Sequence, residues 1–226
     1  MNDFGQDRMA KWLVGDRLSC VLHIGDGALA YQLSEQGHEV VVVGDDAVRN
    51  RHPEIMYVRT MGDRLPFVND AFDVVLAPEL REAPVALAEY ARVLRPQGLL
   101  STVARTHDHS IPWMRKLREI VRADETAAAH ADTFTASGLF SEPEQSSHGS
   151  WEKLDLPGLL RFAHEIKHPT VGEDELAAVH DLFTNYAGQT GFLRLRHETT
   201  CSRARVDKSS MAEPTGPPDT LLLDFR

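Results

Sequence analysis

The stretch that most limits what this chain can fold into covers residues 21–46. It opens on an apolar run (Val21, Leu22, Ile24), turns at Gly25-Asp26-Gly27, passes through a helix-like segment to Gly37, and closes on Val40, Val41, Val42 and Val43 before Asp45-Asp46. A strand, a tight turn, a helix and a second buried strand read this way in one dimension. The valines are apolar on both faces, which fits a parallel strand covered by helices on each side. A glycine turn at the end of such a strand suits a phosphate or a nucleoside, so a nucleotide-like ligand is the first expectation.

The turn alone leaves the ligand open. Gly25, Gly27 and Ala30 satisfy the dinucleotide spacing G-x-G-x-x-G/A, and Asp45 or Asp46 falls near the place where an acid meets a ribose hydroxyl. A strand-turn-helix with two glycines is also often only a tight connection. The decision needs residues further along.

Composition narrows the partners. With 226 residues, 42% hydrophobic and 26% charged, the chain suffices for one well-buried core, and one domain is expected. A formal net charge of −10 argues against a nucleic-acid or anionic-membrane surface, because both need a basic field. Small molecules or proteins are the expected partners. Cys20 and Cys201 form no framework and are expected as free thiols in a reducing compartment, with no catalytic role. The first residues lack the basic start and apolar centre of a signal peptide, and no apolar run approaches the ~20 residues of a membrane span. A soluble cytoplasmic protein is the expectation.

In chain order, Met9, Trp12 and Leu13 stand at helical spacing before Gly15-Asp16, which predicts a short helix packed beside the first strand. Leu29 and Leu33 lie one turn apart on the helix that ends at Gly37. Few residues then separate Val43 from the next apolar run (Ile55, Met56, Tyr57, Val58), whereas a parallel crossover takes about a dozen or more. The connecting helix there is expected to be a single turn or missing.

Three segments follow in fixed order: Leu65-Pro66-Phe67, then Phe72-Asp73-Val74-Val75-Leu76-Ala77, then a run from Ala88 through Arg92-Val93-Leu94-Arg95-Pro96-Gln97-Gly98. They closely resemble the "LPF … FDVV … EaaRVLRPGG" run of the type-11 small-molecule methyltransferases, a class I S-adenosylmethionine-dependent family. Dinucleotide dehydrogenases have no such run. The resemblance is strong over residues 22–98 and looser to about residue 206. It implies an α/β fold: a Rossmann-like, mainly parallel sheet with helices on both faces and an antiparallel C-terminal edge strand.

The local patterns agree. Residues 72–77 read as a buried strand, and Leu87, Ala91 and Leu94 mark one face of a helix that begins near Pro84 and ends before Pro96. Residues 99–104 supply another strand. Pro112 opens a helix whose apolar side is Trp113, Leu117, Ile120 and Val121, with Arg115, Lys116 and Arg118 turned to solvent. Ser137-Gly138-Leu139-Phe140 and residues 144–151 resemble the family's entry into its last pair of strands. Asp155 and Pro157 cap one helix, and Leu176, Val179, Phe183 and Tyr186 line another. The domain is read as 1–206 with a helical lid insertion over 156–187, followed by a flexible tail over 207–226. Residues 193–206 alternate as a half-exposed strand, and Leu221, Leu222, Leu223 and Phe225 offer an apolar cluster for docking on the domain or on a second copy, so a homodimer is one expected arrangement.

The resemblance implies S-adenosyl-L-methionine as cofactor, with Gly25, Gly27, Asp45, Asp46 and Asp63 on it. The family's turn reads Asp/Glu-x-Gly-x-Gly-x-Gly, and here His23 stands at the acid and Leu29 at the third glycine. The acid helps hold the cofactor's ammonium, a charge an imidazole does not match. If Leu29 points away from the ligand, restoring glycine there is expected to cost ~1 kcal/mol or less of helix stability. The adenine-side acid would fall at Met61, with Asp63 two residues on. Methyl transfer needs alignment and a dry pocket more than a fixed catalytic constellation. The acceptor-side candidates are His107 and His109, as general base, in a loop after a strand ending near Arg105. They also make a minimal metal pair, but without further ligands no metal is expected. The other histidines, His148, His164, His168, His180 and His197, are read as scattered, mostly surface residues. Methyl transfer to an unidentified small molecule is the reading; a catalytically inactive methyltransferase-fold binding or scaffold protein is the alternative, carried by His23, Leu29 and Met61.

Overall fold

The structure is a computed structural model and describes residues 3–27, 29–44, 51–60, 64–78, 80, 83–123, 131–167 and 171–209. Seven strands, β1 (Cys20–Ile24), β2 (Glu39–Gly44), β3 (Met56–Arg59), β4 (Phe72–Leu76), β5 (Leu94–His107), β6 (Glu144–Leu154) and β7 (Leu193–Arg205), form one sheet in the order β3-β2-β1-β4-β5-β7-β6. The first five pair in parallel, with Val21 opposite Val74 and Leu22 opposite both Val41 and Val75. β7 runs against β5: the Val206 N–H meets the Gly98 carbonyl at 2.9 Å and the Asp108 N–H meets the Arg196 carbonyl at 3.0 Å. The mixed sheet matches the expected fold class, with β7 lying between β5 and the outer strand β6.

Two compact units can be described. The larger contains the described residues up to 104 together with 131–146 and 200–209. Its strands alternate as a sheet buried on both faces requires. Leu22, Val41, Val43 and Val75 pack with Leu87, Tyr90 and Ala91 of α3 (Pro84–Val93) and with Phe134 of α5 (Ala131–Ala136). Val21, Val40, Val42, Val74 and Leu76 pack on the other face with Ala10 and Leu13 of α1 (Asp3–Val14) and Ala30 and Leu33 of α2 (Ala30–Glu35). Of the β2–β3 connection, residues 51–55 form turns, and residues 45–50 lie outside the described residues.

The motif run owes its spacing to buried ties. Arg92 on α3 donates to the Glu89 carboxylate (2.7 and 2.8 Å), to the Phe67 carbonyl (2.7 Å) and to the Leu65 carbonyl (3.0 Å). Glu89 in turn accepts the Leu65 N–H at 2.8 Å, so the Leu65-Pro66-Phe67 loop is clamped to the helix from both sides of one ion pair. Asp73 accepts the Cys20 N–H at 2.8 Å and pairs with Arg95 at 2.7 Å, tying β1, β4 and the start of β5 together.

The strand expected over 99–104 is longer at both ends. β5 begins at Leu94, directly after α3, and its ladder skips from Phe72 opposite Leu94 to Val74 opposite Leu99. That irregularity accommodates Pro96, which cannot donate to a regular ladder. Within it Gln97 has φ +67°, a left-handed conformation without glycine. At Gly98 a Cβ would sit 2.9 Å from the Arg95 carbonyl oxygen and 3.0 Å from that of Asp73, so no side chain fits.

The smaller unit contains residues 105–123, 147–167 and 171–199. Trp113, Leu117 and Val121 of α4 (Pro112–Val121), Leu159 and Phe162 of α6 (Leu156–Glu165), and Val179 and Leu182 of α7 (Glu173–Ala187) share its core with Leu193 and Leu195. Asp155 caps α6, accepting the Gly158 N–H at 2.8 Å. Tyr186, expected on the buried face of α7, is instead 47% exposed, and Leu182 takes the core position a helical turn earlier.

Candidate functional site

The strand order reverses direction at β1: the chain lays β2 and β3 to one side of it and returns to place β4 on the other. In open α/β sheets the crevice at such a switch point, outside the carboxyl ends of the strands, is where ligands bind. The turn after β1 stands at this point. Gly25 donates its N–H to the Val43 carbonyl at 2.8 Å, which pins the turn to β2. It adopts φ +107° with no atom within 4 Å of where a Cβ would be, so the backbone here is bare and approachable. Gly27, at φ +74°, is pressed instead against Val42, whose Cγ1 lies 3.3 Å from its Cβ position.

Leu29 is only 9% exposed and belongs to the apolar face shared by α1, α2 and β2. Its side chain is thus spent on packing. His23 is the anomaly. It lies opposite Val42 and Leu76 with 0% exposure, and neither Nδ1 nor Nε2 has a hydrogen-bond partner. Burial pushes this imidazole down to about 4, against weaker upward pulls from the charge of Asp26 on the exposed turn and from the nearby backbone of Ile24 and His23, so it is uncharged at neutral pH. Asp45, Asp46 and Asp63, the remaining expected contacts, lie outside the described residues, as does Met61.

His107 and His109 belong to the smaller unit. The expected loop position needs correcting for His107: β5 continues through it, because pairing with β7 extends to Asp108 and Arg196. His107 packs its ring against His197 (centroids 5.1 Å) and Phe162 (4.8 Å) rather than joining His109. His197 is not a surface residue either. It is 2% exposed and its Nε2 lies 2.7 Å from Glu152 Oε2, so Nε2–H donates to the carboxylate and the buried Nδ1 is left without a partner. Burial, the His197 ring and the Arg105 charge push His107 down to about 4; burial also lowers His109 and His197. Sequence spacing carried no signal for the Glu152–His197 pair, whose members meet only through strand pairing 45 residues apart. Among the described residues no group of three His, Cys, Asp or Glu is placed to hold a metal ion.

The strand order with its switch point at β1 and the antiparallel β7 match the Rossmann-like fold of solved methyltransferase structures. Residues 22–102 match the family model described as a methyltransferase domain. Uncharacterized methyltransferases of Mycobacterium tuberculosis and Mycobacterium bovis are 32% identical over 123 residues, which is 50% of this chain and 51% of theirs, so the chain spans about half the length of the curated relatives it matches. Among solved structures, a candidate type II methyltransferase from Anaeromyxobacter dehalogenans superposes with a TM-score of 0.62 at 19% identity, covering 89% of this chain and 95% of that one. A candidate methyltransferase from an antibiotic biosynthesis pathway of Anabaena variabilis gives 0.58 at 12%, covering 88% and 97%. At such identities the likeness is one of fold.

Proposed function

We propose that the chain binds S-adenosyl-L-methionine at the turn after β1 and transfers its methyl group to a small-molecule acceptor. The observation that carries this reading is the bare left-handed backbone of Gly25 at the switch point, pinned to β2 by its own N–H. S-adenosylmethionine supplies an electrophilic methyl carbon on a sulfonium. What the chain's residues contribute is position and dryness. Gly25 lets a ligand approach the main chain, and Leu29, turned into the core, leaves the crevice clear of its side chain. Nucleoside binding is thereby supported; His23 offers hydrogen bonds but no charge to the cofactor's ammonium.

In the smaller unit, His107 is half-buried, uncharged at neutral pH and packed against Phe162. The unpartnered His23 also favours a second reading, a methyltransferase fold that has kept ligand binding and lost catalysis.

Titration calorimetry of the chain with S-adenosylmethionine and S-adenosylhomocysteine tests the first reading. Binding at micromolar to millimolar ligand is expected, and no heat with either ligand at millimolar concentration would sink it. If binding is found, methyl release to a panel of phenols, amines and carboxylates separates enzyme from binding protein.

A further inference from the structure

Resting on that reading, we infer that the crevice recognises the nucleoside and thioether of its ligand without a charge-based hold on the amino-acid end. S-adenosylhomocysteine and 5′-methylthioadenosine, which lacks that end, should therefore bind this chain with nearly equal affinity.

His23 is fully buried, and neither of its ring nitrogens has a hydrogen-bond partner. A fully buried polar side chain with both ring nitrogens unpartnered is rare, because each such atom forgoes its hydrogen bond to water with nothing in return. A neutral imidazole has one donor and one acceptor, so it matches a hydroxyl, an amine or a water, giving one hydrogen bond and taking one. It is a poor host for an ammonium, whose removal from water is offset only by an opposite charge. Val42 and Leu76, its neighbours across the sheet, are apolar. Among the described residues the one negative charge that acts on His23 is that of Asp26, which is exposed to water that screens it. The same site bearing a carboxylate at position 23 would favour the ammonium-bearing ligand strongly.

Calorimetry with the two neutral-thioether ligands at pH 7.5 tests this. In the unaltered chain the dissociation constants should agree within about tenfold. His23→Asp should tighten S-adenosylhomocysteine about 10–100-fold, the worth of one added charged hydrogen bond, and leave 5′-methylthioadenosine within about threefold. S-adenosylhomocysteine bound more than about tenfold tighter than 5′-methylthioadenosine by the unaltered chain overturns the inference, and loss of that preference in Asp26→Asn would name Asp26 as the ammonium's partner. Equal tightening of both ligands, or of neither, by His23→Asp removes His23 as the cause. Should the buried aspartate prevent folding, the ratio in the unaltered chain still decides. Binding of neither ligand is a different failure: it refutes the proposed function itself.

Discussion

Arg92→Met should unfold this protein far more readily than its position on a surface-facing helix suggests. The Arg92 and Glu89 side chains are 18% and 15% exposed, so water cannot replace what either loses. The guanidinium is shared among the Glu89 carboxylate, the Leu65 and Phe67 carbonyls and the Asn69 side chain. Removing one member of a buried pair leaves the other charge uncompensated, at a cost of about 3–5 kcal/mol. At ~2–4 °C per kcal/mol for a chain of this size, the midpoint should fall by ~6–20 °C. Urea unfolding followed by circular dichroism measures the cost directly. In a cycle with Glu89→Gln the double variant should cost less than the two single changes together by about 1–3 kcal/mol. A cost below about 1 kcal/mol for Arg92→Met, or additivity within ~0.5 kcal/mol, would show that the clamp on the Leu65-Pro66-Phe67 loop is not what holds it. The pair also sets an acid limit. Burial alone would raise the Glu89 carboxyl, but hydrogen bonds from Arg92 and the Leu65 N–H, with the charges of Arg92 and Arg64, outweigh it and hold the group below its usual value. A depressed folded pKa gives stability that is complete above the unfolded carboxylate value of about 4.3 and disappears as pH falls below it. The unaltered chain should therefore lose stability below about pH 4.5 more steeply than Glu89→Gln.

Gly98→Ala should destabilise by about 2–4 kcal/mol in urea unfolding, because its Cβ would meet two backbone carbonyls, whereas Gln97→Gly one residue earlier should stabilise by ~0.5–1 kcal/mol by relieving a left-handed side chain. Equal effects at the two positions would contradict the backbone described for the start of β5. Leu29→Gly should cost about 2–5 kcal/mol, well above the helix-propensity cost expected from sequence, since Leu29 is buried in the core; a loss under ~1 kcal/mol would mean that its side chain lies in the crevice instead. His23 has a folded pKa of about 4 against an unfolded 6.5, so its contribution is complete above pH 6.5 and is lost as pH falls toward 4, at up to ~1.4 kcal/mol per pH unit. His23→Leu should flatten stability over that window, and identical slopes in the two proteins would show that the imidazole is hydrated.

What could be read ahead of the structure follows the range over which each residue acts. The β1-turn-β2 unit was legible because strand period and the left-handed turn are local demands, met by the valines and by Gly25 and Gly27. The start of β5 was not. Pro96 reads as a helix stop, and nothing local tells that Gln97 and Gly98 fold the chain around it while the ladder with β4 resumes at Leu99. The direction of Leu29 and the burial of His197 were equally hidden, since each depends on which distant element covers it. The side chain of Leu29 is claimed by α1 and β2, and that of His197 by Glu152 on the neighbouring strand.

The residues that made the motif run recognisable are mostly engaged with the scaffold. Arg92, Glu89 and Asp73 are engaged in holding loop, helix and strands in register, and Gly98 is fixed by two carbonyls that leave its Cβ no room. Such ties are demanded by the fold whatever lies in the crevice. The positions where this chain departs from the family's pattern, His23 and Leu29, are those whose side chains need not serve the scaffold in the same way. Leu29 has been drawn into the core, while His23 has been left buried with nothing to bond. The motif run is thus accounted for by the scaffold it ties together, whereas the buried, unpartnered imidazole of His23 is not. If the proposed ligand binds, its specificity should therefore be sought at His23 before the motif run.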